Sequence, residues 1–223
     1  MKRAPVQKDH FTLETIEPLT PNQKKVWQSD KNLVLSGSAG SGKTFLACYL
    51  ALDDMFKKEF SKIVIVRSTV STRDIGFLPG TEKEKVEVYE APYIGVFTEL
   101  LSRGDAYSIL KFKGRVEFKP TSFIRGTTIT DAVIIVDEIQ NLSFHELDSV
   151  LTRVGDNCRI IFCGDFKQSD LGRNGMKDFM NILSSMGEFD MIEFTTDDIV
   201  RSGLVKNYLI AKEKYEDGKG SIK

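Results

Sequence analysis

The stretch GSAGSGKT, residues 37–44, has the residue types and the spacing of a loop that binds phosphate. It fits the pattern G-x-x-x-x-G-K-[ST], directly after the apolar run NLVLSG and directly before a stretch of helical pattern. Its glycines let the backbone curl so that successive N–H groups and the positive end of the following helix face an anion. In this pattern the lysine reaches the β- and γ-phosphates, and the threonine hydroxyl is a ligand of Mg²⁺. The sequence therefore predicts a nucleotide-binding loop made of Gly37, Ser38, Ala39, Gly40, Ser41, Gly42, Lys43 and Thr44.

Two adjacent acids, Asp137 and Glu138, end a second apolar run, AVIIVDE. A carboxylate in this position completes the magnesium shell of phosphate-loop proteins, so we expect Asp137 on the metal side, acting through a water. Side chains alternate along a strand, so Glu138 is expected to point elsewhere and to polarise the attacking water. An acid pair that activates water favours hydrolysis, and a small-molecule kinase is the weaker alternative.

Two further stretches supply candidate residues for the same chemistry. The apolar run RIIFCGD is followed by FKQSD, and the carboxyl ends of strands in an open α/β sheet face the ligand crevice. We therefore expect Asp165 and Gln168 near the γ-phosphate, with Gln168 as a sensor; a polar turn without function is the alternative. Near the end of the chain, DDIVRSGLV carries a single arginine, Arg201.

Composition excludes several classes of protein. Of the 223 residues, 41% are hydrophobic and 28% charged, and no apolar run approaches the ~20 residues of a membrane-spanning helix. The N-terminus has no continuous apolar segment of the kind found in secretory signals, so we expect a cytoplasmic protein. The three cysteines and two histidines are not at the spacing of zinc ligands.

Charge bears on the question of nucleic-acid binding. The formal net charge is only −1, whereas purely electrostatic binding of nucleic acid requires a basic excess. Basic residues do occur in two local clusters, which are Lys57, Lys58 and Lys62, and Lys111, Lys113, Arg115 and Lys119. Ile109, Phe112 and Phe118 alternate with the second cluster, and they could stack on bases or form the buried side of a hairpin.

The elements that must position these residues follow an alternating order. Apolar runs at 32–37, 62–68, 132–138, 159–165 and 189–195 read as strands, and helical patterns at 43–58, 145–154 and 204–216 lie between or after them. Thr20 and Pro21 begin a further short helix. This order predicts an α/β fold with a mostly parallel sheet covered by helices on both faces. We expect an N-terminal arm at 1–18 and one domain at 19–223.

The stretch 76–128 interrupts this alternation. A helical pattern runs through residues 86–101, but Pro92 is expected to kink or break it near Ala91. KFKGRVEFKP, residues 111–120, alternates as in a small hairpin or an edge strand. We interpret 76–128 as an inserted helix-plus-hairpin region, with functional decoration and a structural flap as the alternatives.

With these residues in place, the chain resembles the PhoH family of phosphate-loop ATPases, which are related to the RecA-like core of superfamily 1 helicases. The resemblance covers roughly residues 18–215 and rests on eight motifs in order. They are the Gln23 region, GSAGSGKT, Arg67, GFLPG (76–80), FIRGTTITDAVIIVDEIQN (123–141), LTRVG (151–155), GDFKQSDL (164–171) and DIVRSGLV (198–205).

The resemblance implies roles that spacing cannot supply. Gln23 looks like the glutamine that reads the adenine edge in helicase-like ATPases, which favours ATP as the nucleotide. Members of the family are thought to assemble as rings, with a hexamer as the expected size, and RNA or single-stranded DNA is the implied partner. Two positions depart from the family pattern, because Thr127 stands where an arginine is usual and Ser202 where a histidine is usual.

Two hypotheses follow for the function. The first is a Mg²⁺-dependent ATPase that binds and remodels or unwinds RNA or single-stranded DNA in a ring. The second is an ATP-dependent oligomerisation switch without helicase activity. In two-domain motors the second domain supplies an arginine, the arginine finger, which stabilises the charge of the transition state. A protein with one RecA-like domain needs another source for it. Arg201 is the candidate, either within its own chain or across a head-to-tail subunit interface, and we expect the interface.

Overall fold

In the part of the chain that the structure describes, the strands form one sheet of six parallel strands. The computed structural model describes residues 11–69, 82–165 and 175–220. The strands are β1 (Asn32–Gly37), β2 (Lys62–Arg67), β3 (Val116–Pro120), β4 (Ala132–Asp137), β5 (Cys158–Gly164) and β6 (Phe189–Phe194). Their order across the sheet is β3-β2-β4-β5-β1-β6, and every pairing is parallel. The predicted α/β class with a mostly parallel sheet is confirmed.

Helices join the strands and cover both faces of the sheet. They are α1 (Pro21–Gln28), α2 (Lys43–Phe56), α3 (Glu82–Leu101), α4 (Ala106–Phe112), α5 (Phe144–Leu151), α6 (Met176–Met186) and α7 (Gly203–Gly220). The Thr20 hydroxyl caps α1 and Pro21 occupies the first turn, as predicted. Among the residues that the structure describes, no helix is both long enough and apolar enough to span a bilayer.

The central strand β4 explains the layered arrangement. All six of its residues are buried, as expected for a parallel strand with helices on both sides. Val133 and Ile135 belong to the core beneath α2, α3 and α4, whereas Ile134 and Val136 belong to the core beneath α5 and α6. The period-2 alternation of side chains thus divides one apolar run between two cores.

Of the two alternatives for residues 111–120, the edge strand is confirmed for residues 116–120 and the hairpin is wrong. Residues 116–120 form β3, an edge strand parallel to β2, with Val116 opposite Ile63. The preceding residues 111–112 belong to α4, and Gly114 turns the chain with a positive φ of 68°. Local alternation predicts a strand but cannot say which strand it pairs with, and here the α3–α4 excursion returns the chain parallel to β2. Residues 76–81 lie outside the described residues.

Of the kink or break that is expected from Pro92 near Ala91, the break is wrong. The helix α3 is continuous from Glu82 to Leu101, with Pro92 inside it. Proline within a helix removes one hydrogen bond and costs about 3 kcal/mol. Downstream of Pro92, Tyr93, Phe97 and Leu100 are almost completely buried in the core, which offsets that loss.

The described part of the N-terminal arm packs on the domain. Phe11, Leu13 and Ile16 are partly buried against the core beneath α2 and α3. The Glu14 amide donates to the Leu100 carbonyl at the end of α3, over 2.9 Å. Residues 1–10 lie outside the described residues, and the division into an arm and a domain stays a prediction.

Candidate functional site

The loop between β1 and α2 has the backbone of a phosphate cradle. Gly37, Gly40 and Gly42 have positive φ angles of 125°, 80° and 84°. A Cβ atom at Gly37 would lie 2.0 Å from the carbonyl oxygen of Phe194 on β6, so only glycine fits there. Gly42 is the N-cap of α2, and among the residues that the structure describes no side chain accepts from the first N–H groups of this helix. An anion fits such a helix end without a further device.

The Lys43 ammonium lies across this loop. It donates to the carbonyls of Gly37 and Ser38, over 2.7 and 2.9 Å. Burial lowers the pKa of Lys43, and nearby acids including Asp165 and Asp137 act in the opposite direction. The Lys43 ammonium is partly desolvated and donates to loop carbonyls, so the oxygens of a phosphate could replace these carbonyls as its acceptors.

The predicted magnesium ligands meet at the end of β4. The Thr44 hydroxyl lies 3.0 and 3.2 Å from the two carboxylate oxygens of Asp137, although the residues are 93 positions apart. Asp137 is only 4% exposed. Burial raises the pKa of its carboxyl, and a hydrogen bond from Tyr93 offsets this rise only in part. A hydroxyl and a carboxylate are the hard oxygen donors that Mg²⁺ prefers. The donor set fits the ion.

Glu138 leaves the strand through a turn. Its φ of 54° and ψ of 43° are left-handed, so its direction is set by this turn rather than by strand alternation. The Gln140 amide nitrogen donates to the Glu138 carboxylate, and the Gln140 amide oxygen accepts from the Asp165 backbone N–H over 3.1 Å. Gln140 therefore joins the carboxyl ends of β4 and β5. Gln168, the predicted sensor, lies outside the described residues.

Gln23 borders the other side of the loop. It is 4% exposed, and its side-chain oxygen accepts from the Leu19 N–H over 2.7 Å. Its amide nitrogen lies 3.9 Å from where a Cβ of Gly42 would stand. The helix α1 thus brings a buried amide to the N-terminus of α2.

Arg201 lies beside the phosphate loop of its own chain. A Cβ atom at Gly40 would stand 3.1 Å from Cγ and 3.8 Å from Nε of Arg201. The preceding residue, Val200, donates its N–H to the Gly40 carbonyl over 3.3 Å. This placement favours action within one chain over the expected action across an interface.

The buried carboxylate of Asp198 connects the Arg201 segment to α1. Its Oδ2 atom accepts from the Asn22 side-chain amide and from the Thr195 N–H, both over 2.8 Å. Asn22 directly precedes Gln23 in α1. One carboxylate therefore holds together the two segments that carry Gln23 and Arg201.

A single cavity of about 1170 Å³ unites most of the predicted residues. Its lining includes Gln23, Ala39, Gly40, Gly42, Lys43, Thr44, Asp137, Glu138, Asp165 and Arg201. Gly37, Ser38 and Ser41 belong to the adjoining loop, where the buried Ser41 hydroxyl donates to the Ser38 carbonyl over 2.9 Å.

Sequence reasoning gave no role to Tyr93, Gln140 or Arg67 in this site. Tyr93 carries no local signal of a role, because its partner Asp137 is 44 positions away, and the link that Gln140 makes to Asp165 likewise depends on the fold. Arg67 ends β2 directly opposite Asp137 and lines the cavity. Its position at the carboxyl end of a parallel strand could have indicated a place in the site.

Comparison with known proteins identifies the family. A sequence profile described as PhoH-like protein matches residues 15–213. The chain belongs to the PhoH-like family. This PhoH-like chain is 33% identical over 211 residues to the PhoH-like protein of Mycobacterium tuberculosis, an alignment that covers 92% of the chain and 60% of the relative. It is 32% identical over 192 residues to Protein PhoH of Escherichia coli, covering 84% and 54%.

The PhoH-like chain thus spans little more than half the length of these curated relatives. Among solved structures it is similar to the large terminase of a thermophilic bacteriophage, with a TM-score of 0.52 at 16% identity, covering 90% of this chain and 50% of the terminase. At this identity the likeness is one of fold.

Proposed function

We propose that the protein binds ATP and hydrolyses it in a Mg²⁺-dependent reaction. The observation that carries this proposal is the contact between the Thr44 hydroxyl and the Asp137 carboxylate, 3.0 Å apart at the start of α2. This contact joins the phosphate loop to the carboxyl end of β4, where phosphate and metal must meet. The glycine backbone and the helix end without a side-chain cap support the same proposal.

Each residue has a task in this reaction. Thr44 and Asp137 would hold the Mg²⁺, which neutralises charge on the phosphates when bound. Lys43 would exchange its loop carbonyls for phosphate oxygens. Glu138 would accept a hydrogen bond from the attacking water, and its contact with Gln140 would fix the carboxylate for that task. Gln168 stays a prediction as the phosphate sensor.

Gln23 would select adenine among the bases. Its amide oxygen accepts one backbone hydrogen bond and keeps a second lone pair for the adenine amino group, while the amide nitrogen can donate to a ring nitrogen. Trp27 and Phe45 line the same cavity and would supply apolar contact with the ring. Competition between ATP and GTP, measured for wild type and Gln23→Ala, tests this selectivity.

Arg201 would act on the nucleotide of its own chain. Its side chain packs over Gly40 in the loop, so a short rearrangement of one side chain would bring the guanidinium to the phosphates. An arginine that stabilises transferred charge is worth about 10³ to 10⁵ in rate. Arg201→Ala is expected to retain ATP binding and to lose most hydrolysis.

The central test is the rate of ATP hydrolysis with Mg²⁺ and with a chelator. Lys43→Ala and Glu138→Gln are expected to abolish turnover, and Glu138→Gln should still bind nucleotide. Lys31→Ala is the matched control, because Lys31 is an exposed lysine paired with Asp190 beyond the far end of β1. Wild-type turnover that is absent, or that persists undiminished in the chelator, would contradict the proposal.

Coupling to RNA or single-stranded DNA is the finer part of the proposal. Phe112 is 92% exposed at the end of α4, between Lys111 and Lys113, and such a ring could stack on a base. Three lysines of the two basic clusters are less available to nucleic acid, because each forms an ion pair within the chain. Lys111 pairs with Glu90, and Lys62 and Lys119 both pair with Glu117. Phe118 is partly buried against the core.

Nucleic-acid coupling predicts that single-stranded RNA or DNA raises the ATPase rate at low salt. Phe112→Ala should reduce this stimulation without changing the basal rate. An equal rate with and without poly-RNA and single-stranded DNA would remove this part of the proposal and leave ATP hydrolysis intact.

An ATP-dependent oligomerisation switch is the second candidate. It is favoured by α7, which carries Leu204 and Tyr208 at 82% and 64% exposure while Leu209 contacts the loop at Gly40. A partner bound to the exposed face of α7 would therefore respond to a change in the conformation of the phosphate loop at Gly40. Light scattering with and without a non-hydrolysable ATP analogue tests whether a ring, and a hexamer in particular, forms. Nucleotide-dependent assembly without nucleic-acid affinity would favour this candidate.

A further inference from the structure

The carboxylate of Asp137 is held from two sides by elements that are distant in sequence. On one side it accepts from the Thr44 hydroxyl of α2. On the other, the Tyr93 hydroxyl of α3 donates to Oδ2 over 2.7 Å. Tyr93 is fully buried and Asp137 is 4% exposed, so little water can replace either contact.

The Tyr93 hydroxyl is a directional constraint. The Thr44 donor lies near both carboxylate oxygens and does not distinguish them, whereas Tyr93 donates to one. A phenol hydroxyl on Oδ2 therefore fixes the rotation of the carboxylate and leaves the other oxygen for a ligand. Residues that hydrogen-bond to a metal ligand without contacting the metal orient that ligand, and their removal typically lowers metal affinity about 10- to 100-fold.

The ring of Tyr93 is itself firmly placed. It packs against Phe118 on β3, with ring centroids 5.9 Å apart. The same helix contributes Pro92, Gly95 and Val96 to the lining of the nucleotide cavity. The helix α3 thus borders the cavity and holds the metal-side carboxylate at once.

We propose that Tyr93 is a positioning residue for the metal site, which orients the Asp137 carboxylate and makes Mg²⁺ binding depend on α3. This inference rests on the proposed function, because it requires that Thr44 and Asp137 hold Mg²⁺. It adds that α3, which lies between β2 and β3 in the chain, takes part in the metal site and is more than a structural flap. In this role Tyr93 acts through Asp137 and not on the reacting atoms themselves.

The test is the Tyr93→Phe variant, which removes one oxygen atom and retains the ring. The chain offers a matched control in Tyr107→Phe, on the neighbouring helix α4. Tyr107 is also almost completely buried, and its ring packs edge-on against Phe97. Within the part of the chain that the structure describes, however, its hydroxyl has no hydrogen-bond partner. Both variants remove a buried phenol hydroxyl and keep the ring, but only Tyr93→Phe removes a hydrogen bond to Asp137.

The readout is equilibrium binding of fluorescent ADP, titrated with Mg²⁺, together with binding in a chelator. For Tyr93→Phe we expect the Mg²⁺ concentration at half-saturation to rise about 10- to 100-fold, with metal-free affinity unchanged. Tyr107→Phe should match wild type in both measurements. Thermal melting of each variant, without ligand, verifies that the fold is retained.

Each outcome has a definite meaning. An unchanged Mg²⁺ requirement in Tyr93→Phe would overturn the positioning role and leave the proposed ATPase standing. An equal loss of affinity with and without Mg²⁺ would show a general packing defect and would also overturn it. If wild-type protein binds ADP without any effect of Mg²⁺, the magnesium-dependent function itself fails, and the role of Tyr93 fails with it.

Discussion

Two adjacent aspartates at the end of α2 form ion pairs of nearly equal length in very different surroundings. Asp53 pairs with Lys57 over 2.7 Å, with 31% and 57% of the side chains exposed. Asp54 pairs with Arg159 over 2.8 Å, with 9% and 10% exposed. Substitution of each aspartate by alanine therefore isolates the effect of burial on an ion pair.

The expected magnitudes differ about tenfold. An exposed pair at i and i+4 contributes about 0.3 to 0.5 kcal/mol, so Asp53→Ala should hardly change the free energy of unfolding. Removing one partner of a buried pair costs about 3 to 5 kcal/mol, because the remaining charge has no counterion. In a chain of this size each kcal/mol shifts Tm by about 2 to 4 °C. We expect a loss of about 6 to 20 °C for Asp54→Ala and of about 1 to 2 °C for Asp53→Ala.

The loss in Asp54→Ala comes from the orphaned arginine rather than from a strongly favourable pair. Burial raises the pKa of Asp54, and Arg159 lowers it only in part. An acid whose pKa is raised on folding is less stabilising once it is ionised, so the pair does not fully compensate for its burial. Replacing both partners by apolar residues, as in Asp54→Leu with Arg159→Met, should therefore restore part of the stability. The recovery is incomplete, because Arg159 also donates to the carbonyls of Ser29 and Lys31.

The assay is urea and thermal unfolding followed by circular dichroism. Similar losses for Asp53→Ala and Asp54→Ala would refute the reasoning from burial. A double variant that is less stable than Asp54→Ala alone would show that the ion pair itself is strongly favourable.

Three further predictions follow from the nucleotide site. Gly37→Ala should lose about 2 to 5 kcal/mol of stability and abolish nucleotide binding, because Gly37 has a φ of 125° and an added Cβ would lie 2.0 Å from a carbonyl oxygen. Urea unfolding and ADP titration measure the two effects. Asp198→Ala should lose about 1 to 3 kcal/mol, because the Asn22 side-chain amide and the Thr195 N–H lose their buried acceptor, while the exposed Asp197→Ala stays near wild type; equal melting temperatures would contradict this. A mixture of Glu138→Gln and Arg201→Ala proteins should stay inactive in ATPase assays if the arginine acts within its own chain, and recovered turnover would assign it to a neighbouring subunit.

Much of the candidate site could be predicted because its residues are contiguous or end recognisable strands. GSAGSGKT is a complete loop in eight residues, and Asp137 ends an apolar run whose burial on both faces is evident from its composition. Local patterns of this kind also predicted the parallel sheet. They depend on interactions between near neighbours, which the sequence displays directly.

The direction of β3 and the continuity of α3 were decided by tertiary packing. Alternation in residues 116–120 is the same for a hairpin and for a parallel edge strand, and only the return path to β2 distinguishes them. The local propensity of Pro92 to end a helix was outweighed by burial of the aromatic residues that follow it.

The sequence by itself determined that this chain has a phosphate loop, a carboxylate at the end of a second strand and an α/β fold. Only the tertiary structure decided that Tyr93 holds Asp137, that Asp198 fastens the Arg201 segment to α1, and that Arg201 lies on its own loop. The physical reason is distance along the chain. The Tyr93–Asp137 contact spans 44 positions and the Asn22–Asp198 contact spans 176, and no local pattern encodes which distant partner a side chain will meet.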